Sequence, residues 1–160
     1  MQLTLFVVGK LKKNATTMLF EQYYNRIHNI AKNIGITNII VKEISESKQH
    51  DAALRCIEEG KKLLALVNDG TRLIICDELG INLNSKEFSA KLLKEISMAT
   101  NNIIFAIGGA DGFSMAVKEA AHGSISFGKL TWPHQLARIM LVEQIYRAIT
   151  ITLNHPYHRD

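Results

Sequence analysis

Asn102-Ile103-Ile104-Phe105-Ala106-Ile107-Gly108-Gly109-Ala110-Asp111-Gly112 is the stretch on which the reading of the fold turns. Residues 102–107 read as a strand with apolar side chains on both faces, and two glycines close it. A strand of that kind must be covered above and below, which is the property of a parallel sheet between helical layers. Outward from it the pattern recurs. Residues 3–8, 38–44 and 72–76 read as further strands, and Ser124-Ile125-Ser126 as a short last one. Helices are expected between them. Residues 16–34 carry Met18, Leu19, Tyr23, Ile27, Ile30 and Ala31 at spacings of three and four and end at Gly35, where a C-cap belongs. Residues 50–67 form a second helix, with Asp51 as its cap, and stop at Asn68-Asp69-Gly70. A third opens at Ser85 and runs to about residue 98, a short one lies near 113–121, and the last begins at Pro133 and reaches about residue 149. The expected fold is α/β, one domain over residues 1–160, with a parallel sheet flanked by helices on both faces.

Composition agrees. Of 160 residues, 47% are hydrophobic and 21% charged, so enough apolar surface is present to offset chain entropy, which excludes a disordered chain. Residues 63–67 are stopped by Asn68-Asp69 and residues 139–142 by Glu143, well short of the roughly 20 apolar residues of a spanning helix. Neither a basic leader nor a cleavage site precedes the first strand, so a cytoplasmic protein with no membrane partner is expected. Cys56 and Cys76 form no Cys-x-x-Cys or metal spacing and read as buried thiols in a reducing compartment. Net charge is 19 minus 15, or +4. That permits a polyanionic partner without requiring one.

Ligands on parallel sheets bind beyond the carboxyl ends of the strands, here the loops after residues 8, 76, 107 and 126. Five of ten glycines fall between 108 and 128, so these loops either let a ligand approach the backbone or simply turn tightly. The segment from Gly123 to Lys129 imitates a phosphate-binding P-loop. Leu130 then stands where magnesium needs a hydroxyl, and Trp132-Pro133 interrupts the helix entry, so nucleotide hydrolysis is set aside. The last helix carries Leu136, Ile139, Met140, Leu141, Val142, Ile145, Tyr146 and Ile149 around its whole girth, which points to a second copy packing on it. Glu143 and Arg147 stand at i,i+4 and read as an intrahelical pair, whereas Arg138 has no such partner in sequence. The tail Asn154-His155-Pro156-Tyr157-His158-Arg159-Asp160 offers a core no aliphatic side chain. It is either a frayed end or a group of stacking and phosphate-binding side chains. His155-x-x-His158 lacks the other ligands of a metal site, and no metal is expected.

Val7-Val8-Gly9-Lys10, the 107–113 loop, Leu130-Thr131-Trp132-Pro133-His134-Gln135, Glu143-Gln144-Ile145-Tyr146-Arg147-Ala148 and Asn154-His155-Pro156-Tyr157-His158-Arg159 together resemble the SPOUT-class methyltransferases that modify N3 of a pseudouridine in 23S rRNA. The resemblance spans the chain. It implies an S-adenosyl-L-methionine-dependent homodimer with a C-terminal trefoil knot, acting on 23S rRNA in the large subunit or the assembled ribosome. Donor contacts are implied at Cys76, Gly108, Phe127, Gly128, Lys129, Leu130, Thr131 and Trp132, and a side chain at Gly108 is expected to fill the space of the adenosyl group. Relatives usually have leucine at the position of Cys76. For the proton on N3, His134, His158 and Glu143 are the candidate bases. Arg138 and Arg147 are candidates to hold uracil carbonyls or a phosphate, and Tyr157 and Arg159 to contact RNA. Two other readings remain open from sequence: a non-catalytic nucleotide- or RNA-binding α/β module, and a SPOUT enzyme acting on transfer RNA.

Overall fold

A computed structural model describes residues 1–11, 15–98 and 100–158. The elements follow one another as β1 (Gln2–Val8), α1 (Ala15–Ile30), β2 (Asn38–Ile44), α2 (Ala52–Leu64), β3 (Thr71–Asn82), α3 (Ser85–Ser97), β4 (Asn102–Ile107), α4 (Met115–Ala120), β5 (Gly123–Ser126) and α5 (His134–Thr152). The strands make one sheet in the order β2-β1-β4-β3-β5, and every pairing is parallel.

Alternation along each strand sends side chains to two separate cores. Leu3, Leu5 and Val7, with Ile103, Phe105 and Ile107, pack on the layer of α1, α3 and α5. Phe6 and Val8, with Ile104 and Ala106, pack with Leu63 of α2 and Val117 of α4. The face each helix takes follows from its crossover. α1 and α3 connect strands that step one way across the sheet and α2 and α4 connect strands that step the other way, so one handedness puts them on opposite faces.

Local chemistry explains the helix ends. One turn of 3-10 helix (Ala31–Ile34) extends α1, and Gly35 closes it in the left-handed region at φ 90°. The Asp51 side chain accepts from the backbone N of Leu54, as its capping role requires. The third helix opens at Ser85 as the sequence suggests, with Asn84 as its cap. Asn84 accepts from the N of Glu87 and the Glu87 carboxylate accepts from the N of Asn84, a reciprocal capping box.

Two features depart from the sequence reading. The third strand does not stop at Cys76 but continues to Asn82, and its pairing with β5 is broken between Cys76 and Ile81. Most of the apolar girth of α5 is covered within one chain by α1, α3 and the sheet, whereas Leu136 stays exposed and Met140 is only half-buried. Leu141, Val142, Ile145 and Ile149 are fully buried there.

Candidate functional site

The carboxyl ends of β3, β4 and β5 enclose a cavity of about 620 Å³, within the size range of small-molecule sites. Its wall is made by Cys76, the loop after β4 and the segment between β5 and α5. Of the residues expected there, Cys76, Gly108, Phe127, Gly128, Leu130, Thr131 and Trp132 all line it. Lys129 is exposed and lies outside the lining.

The glycines differ in what they do. Gly112 and Gly128 sit at φ 78° and 106°, and a Cβ on either would meet nothing within 4 Å, so open space lies before their backbones. A Cβ on Gly108 would instead stand 2.8 Å from the carbonyl oxygen of Gly112. That position is glycine because the loop folds back on itself, which corrects the expectation that a side chain there would first meet the ligand. Ser126 fixes the adjoining turn, since its hydroxyl donates to the carbonyl of Gly128 and accepts from the N of Gly128. The Trp132 indole N–H donates to the carbonyl of Phe127 at 3.3 Å.

Charged groups line the same wall. Burial of Asp77 acts to raise its pKa, but a backbone N–H from Leu79 and the Lys118 ammonium at 2.9 Å outweigh it and hold the carboxyl below its ordinary 3.8. The Arg55 guanidinium does the same for Asp111. Burial pushes the Cys76 thiol up to about 12, so it stays protonated and inert near neutral pH. Sequence reasoning did not single out Asp77, Lys118 or Arg55. The available signal for Asp77 was an acid immediately after the apolar run of a strand; for the other two, partners distant in sequence left none.

The remaining candidates fall into two groups along α5. His134, at its first turn, lines the cavity, with Nε2 3.6 Å from Glu46 Oε1. Glu143 lies nine residues on, about 13 Å along the axis at 1.5 Å per residue. Its Oε1 accepts from Arg147 Nε at 3.0 Å, as the i,i+4 spacing suggests, and from the Tyr157 hydroxyl at 2.9 Å, while Oε2 accepts from Gln144. A carboxylate so engaged is a structural hub rather than a free base. Arg147 lies over the Tyr157 ring at 4.8 Å, and His158 is half-buried.

Two readings are corrected. Arg138 is 1% exposed, its guanidinium ion-paired with Glu43 and donating to the carbonyl of Gly9, so it ties α5 to β1 and β2 instead of facing a substrate. The described part of the tail, residues 154–158, is held against the fold rather than wholly free for RNA. The chain reverses at Asn154 (φ 52°), the N of His155 donates to the carbonyl of Thr150, and the Tyr157 ring meets Tyr146 edge-on at 4.7 Å. Arg159 lies outside the described residues.

A family model described as a predicted SPOUT methyltransferase matches residues 1–158, and the chain belongs to the SPOUT methyltransferase family. It is 45% identical over 159 residues to a protein of Rhodopseudomonas palustris named ribosomal RNA large subunit methyltransferase H, covering 99% of each chain. Proteins of the same name from Bartonella bacilliformis and Methylocella silvestris are 42% and 43% identical, with 99% and 100% of each chain covered. The chain is thus an enzyme that uses a methyl donor. No described helix is long and apolar enough to cross a membrane.

Proposed function

We propose that this enzyme methylates N3 of a pseudouridine in 23S rRNA, with S-adenosyl-L-methionine as donor and the large subunit or assembled ribosome as substrate. The observation that carries the reading is the cavity beyond β3, β4 and β5, walled by Gly108, Gly112 and Gly128, in a chain similar along its whole length to enzymes named for large-subunit rRNA. The wall suits the donor: open backbone at Gly112 and Gly128 admits a flat adenosyl group.

When bound, the donor supplies an electrophilic methyl group on a sulfonium. The chain's own contribution is to position the reacting atoms and manage one proton. N3 must lose its proton as it attacks, and His134, at the rim of the cavity, is proposed to accept it and pass it to water. His158, Tyr157, Arg147 and Arg159 are assigned to the RNA side, Glu143 to holding Arg147 and Tyr157 in place.

Because His134 and the Tyr157 region are separated along one helix, the enzyme is proposed to work as a homodimer in which one copy's tail meets the other's cavity. An apolar groove of about 610 Å³ that includes Leu19, Phe127, Ile139 and Met140 supports a second copy, since large exposed apolar surfaces mark association sites. A single SPOUT domain, a trefoil knot in the C-terminal region and a cytoplasmic location complete the proposal.

Incubation with ribosomes and methyl-labelled S-adenosylmethionine, followed by mapping of the modified nucleotide, tests the reading. Label on N3 of one pseudouridine of 23S rRNA is expected. Label on transfer RNA instead, or none on ribosomes, would overturn it.

A further inference from the structure

We infer that Arg55, on a helix that contributes no residue to the cavity wall, is a positioning residue for the methyl donor: through Asp111 it holds the loop after β4 in the shape that receives the ligand. The inference rests on the proposed assignment of this cavity as the donor site.

The loop has little with which to hold itself. Gly108, Gly109 and Gly112 have no side chains to anchor them, and ordering glycine costs more chain entropy than ordering any other residue. Within the loop, the N of Gly112 donates to the carbonyl of Gly109 at 3.0 Å. The larger support comes from α2. Arg55 Nε donates to Asp111 Oδ2 at 2.6 Å and Nη2 to Oδ1 at 3.1 Å, a two-pronged grip. From behind, Nη1 donates to the carbonyls of Gln49 and His50 at 2.9 and 2.8 Å, so the guanidinium is itself clamped before it reaches the loop.

The same helix face adds two further contacts. The Cys56 thiol donates to the carbonyl of Asp111 at 3.4 Å. Buried Glu59 lies beneath Gly109, where a Cβ would stand 2.9 Å from Oε2, and its Oε1 accepts from the N of Ser47 at 2.8 Å. Arg55 and Asp111 are each about a third exposed, and exposed ion pairs add little to stability. What a bidentate grip does supply is a fixed orientation, for which a planar guanidinium is suited and an ammonium is not. If the loop holds its receiving shape for only a fraction of the time, donor affinity falls by that fraction.

The experiment measures S-adenosylmethionine binding by calorimetry, and steady-state kinetics on ribosomes, for the full-length wild type, Arg55→Ala, Arg55→Lys, Asp111→Asn and the Arg55→Ala/Asp111→Asn double variant. Arg55→Ala and Asp111→Asn should each raise the donor Kd about tenfold, and the double variant should be no weaker than either alone. Arg55→Lys should recover only part of the loss. The loss should appear in KM for the donor rather than in kcat, and the amides of residues 109–113 should exchange hydrogen faster in ligand-free Arg55→Ala. Unchanged affinity in Arg55→Ala, additive losses in the double variant, or a loss confined to kcat would overturn the inference. Should the wild type itself not bind S-adenosylmethionine, the donor assignment falls and this inference with it; wild-type binding with unaffected variants overturns the inference alone.

Discussion

The Tyr157 hydroxyl donates to Oε1 of Glu143 at 2.9 Å, joining the last turn of the described chain to the middle of α5. The Tyr157 hydroxyl also lies 3.2 Å from that of Tyr23 on α1, so tail, last helix and first helix meet at one point. Burial, then the contacts with Tyr23 and Glu143, push the phenol well above its ordinary range and keep it a neutral donor. Tyr157→Phe should therefore cost about 1 kcal/mol of stability, a typical value for one partly exposed hydrogen bond. Truncation after Leu153 should cost more, because the edge-on contact with Tyr146 is lost as well. Urea denaturation measures both, and a truncated chain with an unaltered midpoint would refute the structural role of the tail.

Arg138 offers a test of the opposite end of α5. Arg138→Ala removes a guanidinium that is 1% exposed and leaves Glu43 and the carbonyl of Gly9 without it. Leaving the carbonyl and a carboxylate that is 29% exposed without this partner costs about 1–3 kcal/mol. Arg138→Ala should accordingly show a clearly lower midpoint in urea denaturation. A variant of near wild-type stability that had lost only RNA affinity would restore Arg138 to the substrate side.

Gly108→Ala separates loop geometry from ligand contact. The added Cβ would collide with the carbonyl of Gly112 before it met anything in the cavity, so the loop must shift. Donor affinity should drop at least about tenfold if the shift leaves the receiving shape poorly populated, and circular dichroism should remain that of a folded chain. Calorimetry showing wild-type affinity would mean the loop shape is immaterial to binding.

For Asp77 the pH dependence has a definite sign. Its native pKa lies below the ordinary 3.8, so the unfolded chain takes up the proton first as pH falls. The stabilisation is present above 3.8 and is lost as pH drops through the lower native value. The stability difference between wild type and Asp77→Asn should be constant near neutrality and shrink only in that acid range. A difference that instead changed between pH 6 and 8 would assign the effect to another group.

What the sequence determined by itself is what neighbouring residues settle between themselves. The double-sided apolar runs at 3–8, 72–76 and 102–107 required a sheet with two covered faces, and the two cores that alternate along β1 and β4 meet that requirement. Gly35 and Asp51 marked helix ends through backbone geometry and a hydrogen bond three residues away. The place of the cavity followed in the same way, since parallel strands present their carboxyl ends together. The resemblance of the last third named the family, but patterning could not assign a role to each side chain. Only the tertiary structure showed that α5 is enclosed by α1 and α3, that Asp77 faces Lys118, and that the tail packs on Tyr146. Arg55 grips Asp111 across 56 residues and Arg138 reaches Glu43 across 95. Those contacts exist because the strand order β2-β1-β4-β3-β5 brings distant loops to one end of the sheet, and their partners are chosen by that order rather than by local spacing.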